Sequence, residues 1–152
     1  PLVVPFAWIM MAHPVLTAAR RIAGNWVFLY GGVALAAWDL FLDPLMVAQG
    51  NWTWVVTGAH IPFQPEIPLS NAFGWLLSGM FLIGVLHVIT PREKRKGGAT
   101  FVTTDAFLLW TLFSGFVGNL FFFSRPGIAF FAGAIFGIVL APYFFNRWLG
   151  RP

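Results

Sequence analysis

The sequence predicts an all-α, polytopic transmembrane bundle: about four complete spans after a truncated first helix, each span needing roughly 20 apolar residues to cross a bilayer. Residues 1–152 are expected to form a single integral membrane domain. Three observations predict it. Of the residues, 59% are hydrophobic and only 9% charged, where a soluble domain carries roughly 25% charged residues. The mean hydropathy is +0.78. Blocks such as 81–88 and 130–140 are apolar on every side apart from glycines and His87, whereas barrel strands alternate apolar and polar.

The chain opens at Pro1, and its first apolar stretch, 2–12, is too short to span alone. It reads as the end of a helix begun upstream, stopping near Ala19, with Arg20 and Arg21 at the turn. Gly24-Asn25 separates it from a second helix over 26–48. Residues 49–68 are rich in Trp, Gly and Pro, lack Lys and Arg, and read as a loop or short interfacial segment. A third helix over 69–89 is entered through Pro68, with Ser70 or Asn71 near its cap, and ends before Thr90-Pro91. A charged loop follows at 92–96. The fourth helix covers 102–123, with Asp105 in its first turn as a cap favoured by the helix dipole. The fifth covers 126–148, with Pro126 in the first turn, where a missing N–H costs nothing. Gly115 with Gly118, and Ala129, Gly133 and Gly137, have the small-residue spacing of helix contacts in membranes.

A net charge of +4 could suggest nucleic acid, but the nine basic residues sit at helix ends. Arg20, Arg21, Arg92, Lys94, Arg95, Lys96, Arg147 and Arg151 share one set of ends, and Arg125 stands alone on the other. By the positive-inside rule loops 20–25 and 91–100 are cytoplasmic and 49–68 lies on the opposite side of a prokaryotic cell membrane. No nucleic-acid partner is expected. The chain has no cysteine, which removes disulfides and thiolate chemistry.

Asp39 and Asp43 carry the strongest chemical signal. An isolated Asp at the centre of a membrane helix costs roughly 2.5 to 3.5 kcal/mol on insertion scales. Two at i and i+4 share one helical face, where one proton held between two carboxylates makes a usable acid. The pair could equally be a metal site or a wet cap, since Asp43 precedes Pro44. Trp38, Trp52, Trp54 and Trp75 group near it. Trp usually forms an interfacial belt, but indole faces also attract cations in a dry pocket. Asn71 can position water or cap the third helix. Glu66 and His60 are further candidates, each equally readable as a solvated loop residue. His13, His60 and His87 are dispersed, which disfavours a di-iron membrane oxygenase, and no histidine-built metal site is expected. There is no Gly-rich phosphate loop, HExxH or GxSxG sequence.

The blocks Ala37-Trp38-Asp39-Leu40-Phe41-Leu42-Asp43-Pro44, Met46-Val47, Gly50, Trp52 and Trp54, followed by Ile67-Pro68-Leu69-Ser70-Asn71 and Gly74-Trp75, resemble the membrane carotenoid biosynthesis protein family. That family includes hydratases acting on bisanhydrobacterioruberin and on the acyclic end of gamma-carotene. The resemblance implies hydration of a terminal isopropylidene double bond to a tertiary alcohol without a cofactor. Asp39 and Asp43 would then be catalytic, and Trp38, Trp52, Trp54, Asn71 and Trp75 would bind substrate. The implied partners are the lipid bilayer, a long-chain carotenoid and other enzymes of the carotenoid pathway. The nearest rival is an end-group cyclase, in which an internal alkene rather than water captures the same cation. A magnesium-dependent prenyltransferase, a proton-coupled transporter and a pigment-binding scaffold are the remaining alternatives.

Overall fold

A computed structural model describes residues 3–91 and 99–150. The basic residues at 92–96 and Arg151 lie outside the described residues. Five α-helices run up and down: α1 (Val3–Ile22), α2 (Val27–Ala48), α3 (Leu69–Ile89), α4 (Ala99–Val117) and α5 (Pro126–Phe144). Four stretches are long and apolar enough to cross a bilayer: Gly24–Ala48, Leu69–Ile89, Phe101–Phe122 and Pro126–Leu149. The protein is therefore an all-α bundle fit for a membrane. α1 is not among the four. It also continues past the expected stop at Ala19, so that Arg20 and Arg21 form its last turn and the break falls at Gly24, whose φ of +52° favours glycine.

α2 is the central helix: 61% of its apolar window is buried, against 11% for α3. The outward face of α3 carries Leu77, Phe81 and Val88, side chains that lipid tails solvate as well as a protein core does. The intimate contact in the bundle is the antiparallel seam between α2 and α3. A Cβ added to Gly79 would lie 3.1 Å from the Cα of Gly32, and one added to Gly31 would strike the Ile83 side chain. The expected small-residue positions are met in part. Gly115 and Gly133 receive the rings of Phe41 and Phe116, while a Cβ on Gly137 would meet nothing within 4 Å. The seam yields a prediction. A Cβ at Gly32 would sit 2.9 Å from the backbone oxygen of Leu76 and 2.9 Å from the Met80 nitrogen, atoms that cannot step aside. Gly32→Val should therefore destabilise the bundle by about 1–3 kcal/mol or more, read as a lowered thermal midpoint in detergent.

The segment expected to be irregular, 49–68, contains a small hairpin, β1 (His60–Ile61) and β2 (Gln64–Pro68), with Ile61 opposite Gln64. Phe63 at its turn has φ +63°, a conformation bulky residues rarely adopt. Its ring explains why it stays there. It lies on Gly127, where a Cβ would come within 2.7 Å of the ring, and 5.9 Å from the Phe131 centroid. The hairpin is thus pinned to the start of α5.

α4 and α5 end in single π-helical turns, Gly118–Phe122 and Phe145–Leu149. Asp105 is not the expected cap. α4 begins at Ala99, so Asp105 lies inside the helix, where Tyr143 Oη donates to Oδ1 at 2.6 Å and Arg147 Nε stands 3.3 Å from Oδ2. A carboxylate inside a bundle needs such partners. Around it, the basic ends converge: Arg21 donates to Asn146, and Arg20 donates to the carbonyls of His87 and Thr90 at the end of α3.

Candidate functional site

The opposite end of the bundle gathers the chemistry. The α2–α3 seam, held in register by Gly32 and Gly79, sets Asn71 of α3 against the Asp39–Asp43 face of α2. Asn71 Nδ2 donates to Asp39 Oδ2 at 3.2 Å and to Asp43 Oδ2 at 2.5 Å, so one amide uses both its hydrogens to join the two carboxyls. Both aspartates are 1% exposed. Neither Ser70 nor Asn71 caps α3, whose cap position is Pro68 with no side-chain hydrogen bond. Asn71 serves the carboxyls instead.

The chain leaving α2 turns at Gly50, with φ +70°, and folds back over the same end. Trp52 Nε1 donates to Asp43 Oδ1 at 2.5 Å and Trp54 Nε1 to the same oxygen at 3.1 Å. Asp43 therefore accepts three N–H donors, a set that suits an acceptor-only carboxylate. Asp39 differs. Its Oδ1 is buried with no hydrogen-bond partner among the described residues, an arrangement that proteins rarely leave without a purpose.

Pro44 shapes the same turn. Lacking an N–H, it cannot bond the Leu40 carbonyl one turn back, and an orphan carbonyl inside a membrane bundle is costly. Gln64 of the hairpin, fully buried, donates its Nε2 to that oxygen at 2.9 Å. On the far side Arg125 donates to the Pro44 carbonyl at 3.0 Å and to Glu66 Oε1 at 3.1 Å. The hairpin is thus tied to α2 directly beside Asp43.

Glu66 consequently does not join the aspartate pair. Its partner is Arg125, with both side chains about a third exposed at 31% and 29%. His60 stands apart as well, exposed in β1 with Nδ1 3.0 Å from the Ile61 carbonyl oxygen. An ion pair exposed to this extent is worth about 1 kcal/mol or less. Glu66→Gln should therefore cost about 1 kcal/mol of stability or less, read as a nearly unchanged thermal midpoint in detergent.

Trp38 and Trp75 meet edge to face with centroids 5.9 Å apart. Trp75 also stacks flat on Trp8 of α1, 4.3 Å between centroids and 7° between planes. Trp8 escapes sequence reading because its partner lies in α3. A Trp at the same end as the other four was the only signal for it. Trp8, Trp52, Trp54, Asn71, Gly74 and Trp75 line a cavity of about 380 Å³. Asp39 and Asp43 are not on its wall. Asn71 is, and it stands between the cavity and the carboxyls.

Comparison with known proteins adds one finding. The profile of the family described as "Carotenoid biosynthesis protein" matches residues 1–140. The chain belongs to the carotenoid biosynthesis protein family. No curated protein and no solved structure matches it at a significant level. The matched range covers α1 to α4, most of α5 and every residue of the site described above.

Proposed function

We propose that this protein is a carotenoid hydratase, adding water to the terminal C=C of an acyclic carotenoid end group to give a tertiary alcohol. The observation that carries the reading is the buried Asp39–Asp43 pair, joined by one amide and set beside an aromatic-walled cavity in a member of a carotenoid biosynthesis family. Asp39, whose Oδ1 has no hydrogen-bond partner among the described residues, is the proton donor. Asp43, held by three N–H groups, stays the carboxylate that supports it.

In the proposed sequence, the Asp39 hydroxyl bond breaks and its proton forms a new C–H bond at the terminal alkene. The electron deficit falls on the adjacent, more substituted carbon as a tertiary cation. The faces of Trp75 and Trp8 stabilise that charge in a site with little water. A water oxygen then bonds to the cation and its proton returns to Asp39. Nothing is oxidised or reduced, so the reaction needs no redox cofactor. Asn71 must swing aside for the alkene to reach Asp39, and its amide oxygen then accepts a hydrogen bond from the incoming water.

A magnesium and diphosphate chemistry is less well supported. A cation at the pair would have to displace the three N–H donors of Asp43. Among the described residues no group of three His, Asp or Glu side chains converges. We place the end bearing Arg20, Arg21 and Arg147 in the cytoplasm by the positive-inside rule, with the site near the other face of a prokaryotic cell membrane. There one side admits water and the bilayer delivers hydrocarbon.

The test is mass-resolved pigment analysis after expression in cells that accumulate lycopene. A product heavier by one water supports hydration. An equal-mass product with shifted absorption would mean cyclisation, and unchanged pigment in a well-expressed protein would leave a scaffold or transporter.

A further inference from the structure

We infer that the crevice between α1 and α3 is a lateral slot for the substrate's apolar chain end, with Trp8 and Gly74 as its facing walls. The inference rests on the hydratase reading for the identity of the occupant, an acyclic carotenoid, and names where that occupant lies.

Two strips of side chains line this part of the cavity. Val4 and Trp8 are i and i+4 on α1, and Gly74 and Ser78 are i and i+4 on α3, so each pair occupies one helical face. Gly74 differs in kind from the glycines of the α2–α3 seam. A Cβ on Gly31, Gly32 or Gly79 would press against the protein, while one on Gly74 would meet nothing within 4 Å. Gly74 therefore holds space open rather than bringing helices together. The stacked Trp8–Trp75 pair, met edge to face by Trp38, gives the same cavity its aromatic lining. A conjugated chain is itself flat and apolar, and such a surface suits it. The slot also has direction. At one end are Trp52, Trp54 and Asn71, each hydrogen-bonded to the aspartates. A chain lying in it would bring its tip to Asn71.

A rival crevice of about 310 Å³ lies between α2, α3, α5 and the hairpin, lined by residues that include Ala37, Leu40, Phe73 and Phe131. None of the residues that hydrogen-bond the carboxyls lines it. A chain seated there would not end at the acid.

The experiment uses the full chain in lipid nanodiscs, titrated with lycopene. Binding is read by quenching of tryptophan fluorescence and conversion by product mass. Gly74→Leu should fill the slot while keeping the fold, since a Cβ there meets nothing within 4 Å and leucine replaces glycine within a helix. Gly137→Leu on α5, equally unobstructed, is the matched control. The expected result is an apparent Kd raised about tenfold or more in Gly74→Leu, with kcat/KM falling in proportion. Gly137→Leu should bind as the unmodified protein does, and both variants should keep their thermal midpoints. Unimpaired lycopene binding by Gly74→Leu would overturn the slot, even with hydration proceeding. If the unmodified protein binds lycopene without changing its mass and Gly74→Leu loses that binding, the slot stands and the hydratase reading falls. Failure of the unmodified protein to bind lycopene would overturn the slot as a site for acyclic carotenoids.

Discussion

Replacing Asp39 by Asn should abolish conversion of the carotenoid while the protein still folds, with turnover reduced by about 10²- to 10⁴-fold, the usual contribution of a positioned acid. The substitution keeps the shape of the side chain. An amide oxygen can still accept from Asn71, and the unpartnered Oδ1 position has no hydrogen bond to lose. The thermal midpoint should accordingly stay close to that of the unmodified protein. What disappears is the transferable proton. Asp43→Asn should be milder in chemistry but harsher on the fold. The two indole N–H groups and the Asn71 amide that converge on Asp43 would then face a neutral group, one end of which is itself a donor.

The second large effect belongs to Asn71→Leu. Among the described residues this side chain is the one hydrogen-bonded link from α3 to both aspartates, at 3.2 and 2.5 Å. A leucine of similar size leaves both carboxyls short of a donor in a buried place. Stability should fall by about 1–3 kcal/mol, and more if both groups remain charged. Conversion should drop as steeply as in Asp39→Asn. The two variants separate by their folding: Asn71→Leu lowers the unfolding midpoint and Asp39→Asn does not. Asn71→Asp, which puts a third carboxyl at the same point, should be at least as damaging as the leucine.

Much of the architecture follows from local chemistry that a sequence displays. The third and fifth helices begin at Leu69 and Pro126, as Pro68 and Pro126 imply, because a proline at the start of a helix gives up no hydrogen bond. The convergence of Asp39, Asp43, Trp52 and Trp54 is also local, an i, i+4 pair and a chain that doubles back within a dozen residues. The features that escaped depend on register between helices distant in sequence. Gly32 against Gly79, Trp8 on Trp75 and Tyr143 on Asp105 each need knowledge of which turn faces which. Asp105 resembles a cap only because the apolar run starts at 102, three residues after α4 begins at Ala99. Gln64 was within reach. A proline at 44 inside a span frees the Leu40 carbonyl, and that oxygen requires a donor from somewhere. The only polar uncharged amide in the hairpin is the one that supplies it.

The measurement that bears most directly on the central claim is turnover of lycopene by the purified protein in heavy-oxygen water, followed by mass analysis of the product. The account predicts a product that gains one water, carries the heavy oxygen on its tertiary carbon, and is absent with Asp39→Asn. A product of unchanged mass, an oxygen that does not come from water, or full activity in Asp39→Asn would contradict it.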